Sequence, residues 1–242
     1  MGSRGRLSKA GLTILGVVLA GVGTVSAVRA QTTQIFTDGF ESGDVSRWSA
    51  ARALGSAALE VDGAAAMGGS SSVFGLEVTG GGRAWVESRE PDRESTVGLF
   101  FFFDPDNWEM LPRARVDILR LYGPGRRHHL RLVLRRAGPG MFRLGLQVRG
   151  NRGGYESIGG GLVLAGGENL VEVEWQAASG PNATDGSAAL YLNGVLEARE
   201  PTLANGRLDV RTIQLGILGG NVGQTRGSFY LDDFSAFRTL AP

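Results

Sequence analysis

The chain has 242 residues, no cysteine, 25 basic and 24 acidic side chains, and a formal net charge of +1. With no cysteine there are no disulfides, so an exported domain of this kind relies on its apolar core or on a metal. The charge balance excludes a basic, nucleic-acid-binding chain, more so once the first 30 residues are set apart. Without them the chain carries 21 arginines against 24 acids, a net charge of −3.

Those first 30 residues read as an export signal. Arg4, Arg6 and Lys9 form a positive start, and an apolar run from Leu12 to Ala27 follows. Small residues then offer cleavage after Ala27 or after Ala30. This is a secretory pattern, and it predicts a secreted, extracellular or periplasmic protein with no membrane span in the mature chain. Residues 31–242 are then expected to form one domain.

Gln31–Thr37 reads as a linker, and Asp38–Ser49 as a glycine-containing loop ending at Trp48. Ala50–Gly69 is alanine-rich and carries no clear period. Val73–Val78 and Arg83–Ser88 read as strands around Gly80-Gly81-Gly82. Thr96–Phe103 is apolar on both faces and predicts a central strand, stopped by the turn sequence Asp104-Pro105-Asp106-Asn107. Arg115–Tyr122 is the next strand. His128–Arg135 and Phe142–Val148 alternate around Gly138-Pro139-Gly140, the pattern of an antiparallel hairpin with one leucine-rich and one basic face. Gly150–Gly161 reads as a loop. Leu170–Gln176, Ala188–Glu197 with its Asn193-Gly194 turn, Thr212–Leu218 and Gly227–Arg238 complete the set. No amphipathic helix is evident. Many short strands with turn signals predict an all-β, two-sheet antiparallel β-sandwich.

The second half resembles concanavalin-A-like, laminin-G-like jelly rolls. The likeness rests on Ile118–Leu121, the basic hairpin, Val171–Trp175, Leu190–Gly194, Ile213–Gly216 and Phe229–Phe237. Gly39-Phe40-Glu41 with Trp48 is similar to the opening of secreted carbohydrate-binding modules, in which such a segment and a terminal Asp-Asp share a structural calcium. The resemblance thus implies a calcium site drawn from Asp38, Glu41, Asp232 and Asp233. Neighbours on a regular strand point to opposite faces, so only one of Asp232 and Asp233 is expected inward, with Asp232 favoured.

The basic hairpin face supplies the other candidate site: Arg131, Arg135, Arg143 and Arg149 with Gln147 and His129. Arginines there suit uronate or sulfate groups through paired hydrogen bonds. Trp108, beside a turn, is a candidate stacking platform for a sugar ring. Glu172 and Glu174 share a strand face as two glycosidase carboxylates would. The three-acid pattern of laminarinase-type members is incomplete, however, since its third position is Ala177. Alginate-lyase-type members use a Gln-x-His strand and a Tyr/Lys strand, whereas Lys9 is the sole lysine here. The expectation is therefore a secreted, non-enzymatic β-sandwich that binds glycan or takes part in cell-surface interactions, with a polysaccharide or cell-surface glycan as its partner. The alternatives are a structural or adhesive surface protein without a small ligand, and a polysaccharide-cleaving enzyme.

Overall fold

The structure, a computed structural model, describes residues 32–69, 72–164 and 166–239. The expected export signal lies outside them. Among the described residues no helix is long and apolar enough to cross a membrane. The early strands are β1 (Thr32–Asp38), β2 (Ala50–Gly55), β3 (Ala58–Asp62), β4 (Gly75–Thr79), β5 (Gly82–Ser88) and β6 (Thr96–Asp104). A short β7 (Glu109–Met110) precedes β8 (Arg115–Tyr122), β9 (His128–Gly138), β10 (Met141–Arg149), β11 (Tyr155–Leu164) and β12 (Asn169–Gln176). The chain closes with β13 (Gly186–Leu192), β14 (Val195–Leu203), β15 (Thr212–Gly220), β16 (Thr225–Arg226) and β17 (Ser228–Thr239).

These strands build the expected jelly-roll β-sandwich. The first sheet runs β14-β13-β12-β6-β17-β4-β3, with β1 added along β17. The second runs β11-β10-β9-β8-β15-β5-β2. Strand β6 is central, as its apolar run predicts: Phe101 and Phe103 are fully buried in the core, while Phe100 and Phe102 lie half-buried on the outer face. The second sheet meets them with Leu119, Leu121, Leu130, Leu132, Leu144 and Leu146.

Strand β17 closes the sandwich between β6 and both β4 and β1. Its register slips between Asp232 and Ser235. That bulge has one visible consequence: Phe229 and Leu231 before it, and Phe234 and Ala236 after it, all face the core with no exposed surface. Asp233 takes up the insertion at φ +48°. The bulge also corrects the expectation drawn from regular alternation. Both aspartates turn to the outer side of the first sheet, where the chain around Met67 covers Asp232.

A second bulge lies where β8 meets β9, between Leu121 and Tyr122. It turns His129 into the core, where its ring stacks on Trp175 at 6.3 Å and 18°. The Asp209 carbonyl faces the ring without forming a well-shaped hydrogen bond. Burial lowers the His129 pKa to about 4. The folded state thus resists a proton that the unfolded chain accepts near pH 6.5. The stability this provides is complete above pH 6.5 and is lost as pH falls toward 4, by roughly 3 kcal/mol. His129→Leu is expected to flatten this acid limb. Urea midpoints at pH 7 and pH 4.5 measure it, and an equal acid loss in both proteins contradicts it.

Candidate active site

The outer face of the second sheet is where polar chemistry collects. Cross-strand register aligns Ser157, Gln147, Arg131, Arg120, Gln214 and Glu87 in one row over six strands. At about 4.8 Å per strand the row is about 24 Å long. A parallel row one repeat along carries Tyr155, Arg149, His128, Tyr122 and Thr212. His128 joins it because the β8–β9 bulge inverts the alternation of β9. The predicted His129 is replaced on this face by its neighbour.

The two rows interlock. Asp117, almost fully buried, takes the Arg120 Nε at 3.1 Å and Nη2 at 2.7 Å on one carboxylate oxygen, and Arg131 Nη1 lies at 3.6 Å. A Cβ at residue 219 would lie 2.1 Å from Arg120 Nη2, so Gly219 is what admits that guanidinium. Arg120 Nη1 donates to Tyr122 Oη at 3.3 Å. The Arg131 guanidinium lies 4.3 Å from the Tyr155 ring centre, a cation–π arrangement, and Tyr155 Oη donates to the His128 carbonyl at 2.8 Å. The His128 ring stacks on Tyr155 at 5.5 Å and meets Tyr122 edge-on at 5.6 Å. Burial, with Arg120 and Arg131 nearby, lowers the His128 pKa to about 4. The imidazole is therefore neutral at pH 7, with an unprotonated ring nitrogen, and these surroundings make it a weak base.

At the far end of the first row, Glu87 accepts from Gln214 Nε2 and Arg89 Nε, both at 2.6 Å. Burial raises the Glu87 carboxyl pKa, but these two partners outweigh it and hold it below the usual range. Recesses flank the aromatic row. One of about 150 Å³ is lined by Tyr122, Glu87, Arg89, Arg126 and Gln214. The other, about 810 Å³, is lined by Tyr155, Asn151, Arg152, Pro181 and Arg207.

Arg131, Gln147 and Arg149 thus come together with residues the sequence reading did not single out: Tyr122, Tyr155, Asp117, Arg120, Glu87 and Gln214. Arg135 and Arg143 lie apart, further along the strands. Trp108 is no platform. It is 2% exposed and packs edge-on against Phe229 at 5.0 Å, because the turn before it tucks the indole into the core. Glu172 and Glu174 project from the opposite sheet, on the outer face of β12, where Tyr191 Oη lies 3.5 Å from Glu174. Burial and Glu174 raise the Glu172 carboxyl pKa.

The acidic ends meet elsewhere. Ser72 Oγ donates to Asp232 Oδ2 at 2.8 Å and reaches Glu41 Oε1 at 3.3 Å. Asp232 also accepts from the Met67 and Asp233 amides, and Glu41 from those of Val73 and Phe74. Burial raises the Asp232 pKa to about 6. Burial, then Glu41 and Glu168, raises that of Asp233. Asp38 is buried; one oxygen accepts from the Phe40 amide and the other lacks a well-formed bond. Among the described residues no three such groups converge at cation-binding distance.

No family model matches the chain, and no curated protein matches it. Solved structures do. Alginate lyase Aly36B is similar with a TM-score of 0.52 at 14% identity, over 78% of this chain and all of that one. A mutant of it in complex with alginate trisaccharide gives 0.50 at 15% identity over the same shares. A botulinum neurotoxin DC binding domain in complex with SialylT gives 0.46 at 12% identity, over 76% of this chain and 44% of that one. The likeness is one of fold. It nevertheless overturns the expectation of a non-enzymatic module, because the structures matched along their whole length are lyases.

Proposed function

We propose that this protein is a polysaccharide-cleaving enzyme acting by β-elimination on a uronate-containing chain. The observation that carries this is the His128 imidazole set between two phenols, with Arg131 beside it and a recess at each end of the row. The fold likeness to alginate lyases supports an enzyme on this architecture. The chain departs from the alginate-lyase-type pattern in having no lysine after Lys9, so the chemistry falls to other groups.

In this reading the Arg131 guanidinium and Gln147 hold the substrate carboxylate. Arg131 suits the task because its ring contact with Tyr155 fixes its plane, and pairing with the carboxylate makes the adjacent C–H more acidic. His128 removes the C5 proton. The C4–O4 bond breaks as a C4=C5 double bond forms, and Tyr122 gives its proton to the departing oxygen. Arg120, donating to Tyr122 Oη, leaves the phenol hydrogen free to point at the substrate and stabilises the phenolate that remains. Solvent then carries the proton from His128 back to Tyr122. His128→Ala is expected to abolish cleavage of alginate, whereas Glu174→Gln, on the other sheet, leaves it intact. The reverse outcome would assign the chemistry to the two-carboxylate face.

We also propose export of the mature chain, on its N-terminal pattern, and membership of the concanavalin-A-like jelly rolls, on the segments quoted above. For the acidic clasp we propose calcium on charge alone: Asp233 feels the negative charge of Glu41 and Glu168 and takes part in none of the described ion pairs. Millimolar calcium is expected to raise the melting midpoint by roughly 2–8 °C over chelator. An unchanged midpoint means that hydrogen bonds alone hold the clasp.

A further inference from the structure

The predicted arginine face is divided by its register into two zones with different electrostatics. Arg120 and Arg131 share the Asp117 carboxylate. Further along the same strands Arg115, Arg135 and Arg143 are direct cross-strand neighbours on β8, β9 and β10. Their backbones are about 4.8 Å apart. Arg115 and Arg143 are exposed and Arg135 is half-buried. None of the three pairs with a carboxylate among the described ion pairs. Like charges directly opposite one another destabilise a sheet. Three guanidinium groups held in this way form a preassembled site for negative charge, since any bound anion relieves their mutual repulsion.

We infer that the Arg115–Arg135–Arg143 row is an anion-binding subsite that grips the carboxylate or sulfate groups of an acidic polysaccharide beyond the point of cleavage. The distance suits this. Arg135 is four residues from Arg131 on one strand, about 13 Å along the sheet. The row between holds Gly159, Gly145, Val133, Asp117 and Gly219. Its two side chains, Val133 and Asp117, are short and buried, so neither stands up between the zones. Residues 31–242 carry a net charge of −3, so this row is a local feature and not part of a broad basic surface of the kind nucleic acids require. The identity of the polymer rests on the enzymatic reading above; the binding of an anion here does not.

Native gels containing alginate, dextran sulfate or neutral dextran test the subsite directly. Wild-type protein is expected to be retarded by the two acidic polymers and not by dextran. The Arg115→Ser/Arg135→Ser/Arg143→Ser variant is expected to bind them roughly tenfold more weakly or worse, with a shallower salt dependence. Should the triple variant misfold, the single Arg143→Glu change at an exposed position is expected to give the same loss. Equal retardation of wild type and variants overturns the subsite. So does a wild type that neither acidic polymer slows, or one that double-stranded DNA slows more than either. Retardation that depends on these arginines in a protein that cleaves nothing refutes the enzymatic reading and leaves this one standing.

Discussion

Tyr122→Phe is expected to lower the rate of polysaccharide cleavage by roughly a hundred- to ten-thousand-fold, with little change in substrate affinity. The substitution removes one oxygen and keeps the ring. The edge-on contact with His128 therefore persists, and so does the strand pairing of Tyr122 with Thr212. What disappears is the proton given to the departing oxygen, together with the atom that Arg120 Nη1 addresses. Arg120 is not displaced, because two of its nitrogens stay on Asp117. A loss confined to KM would mean that Tyr122 only binds. A loss no greater than twofold in every constant would remove Tyr122 from the chemistry.

Phe234→Ala is expected to cost about 3–5 kcal/mol of stability, the range for a large aromatic removed from a packed core. For a domain of this length that corresponds to a fall in melting midpoint of roughly 6–20 °C. The position matters because Phe234 follows the β17 bulge and ties three elements together. Its ring lies 5.1 Å from Trp48, 6.1 Å from Phe36 and 6.4 Å from Phe101. Losing it leaves a void where β1, β6 and the loop carrying Trp48 meet. A midpoint lowered by only a degree or two would show that the clasp does not depend on that aromatic cluster.

The bulge at Asp232–Asp233 also shows where sequence reading stops. Alternation made the strand legible, and the hairpin of β9 and β10 still more so, because leucines on one face and arginines on the other leave one consistent register. Yet the apolar residues of β17 support both phases of the alternation, Phe229 and Leu231 in one and Phe234 and Ala236 in the other. Only an inserted residue reconciles them, and no local signal marks it as such. The same applies to His128 and His129, whose faces are exchanged by a bulge. Other strands were illegible because they need no apolar period. β2 is an alanine-rich edge strand, β3 a five-residue edge strand whose apolar phase is only Leu59 and Val61, and β11 an edge strand through Gly159, Gly160 and Gly161 with little buried surface. Reading β11 as a loop hid Tyr155, and with it the arrangement around His128. Tyr122 and Arg120 were accessible in principle, since they occupy the polar phase of a strand whose other phase carries Leu119 and Leu121. Trp108 misled because a turn sequence says nothing about which way the following indole points.

Bond breaking by elimination is the central property assigned to the face around His128. Purified wild-type protein incubated with alginate, followed by ultraviolet absorbance and product mass, tests it most directly. Elimination yields products with a new unsaturated uronate end, each pair summing to the mass of the parent chain. Products heavier by one water per cleavage, or an intact polymer after prolonged incubation with alginate and other uronate polysaccharides, would contradict it.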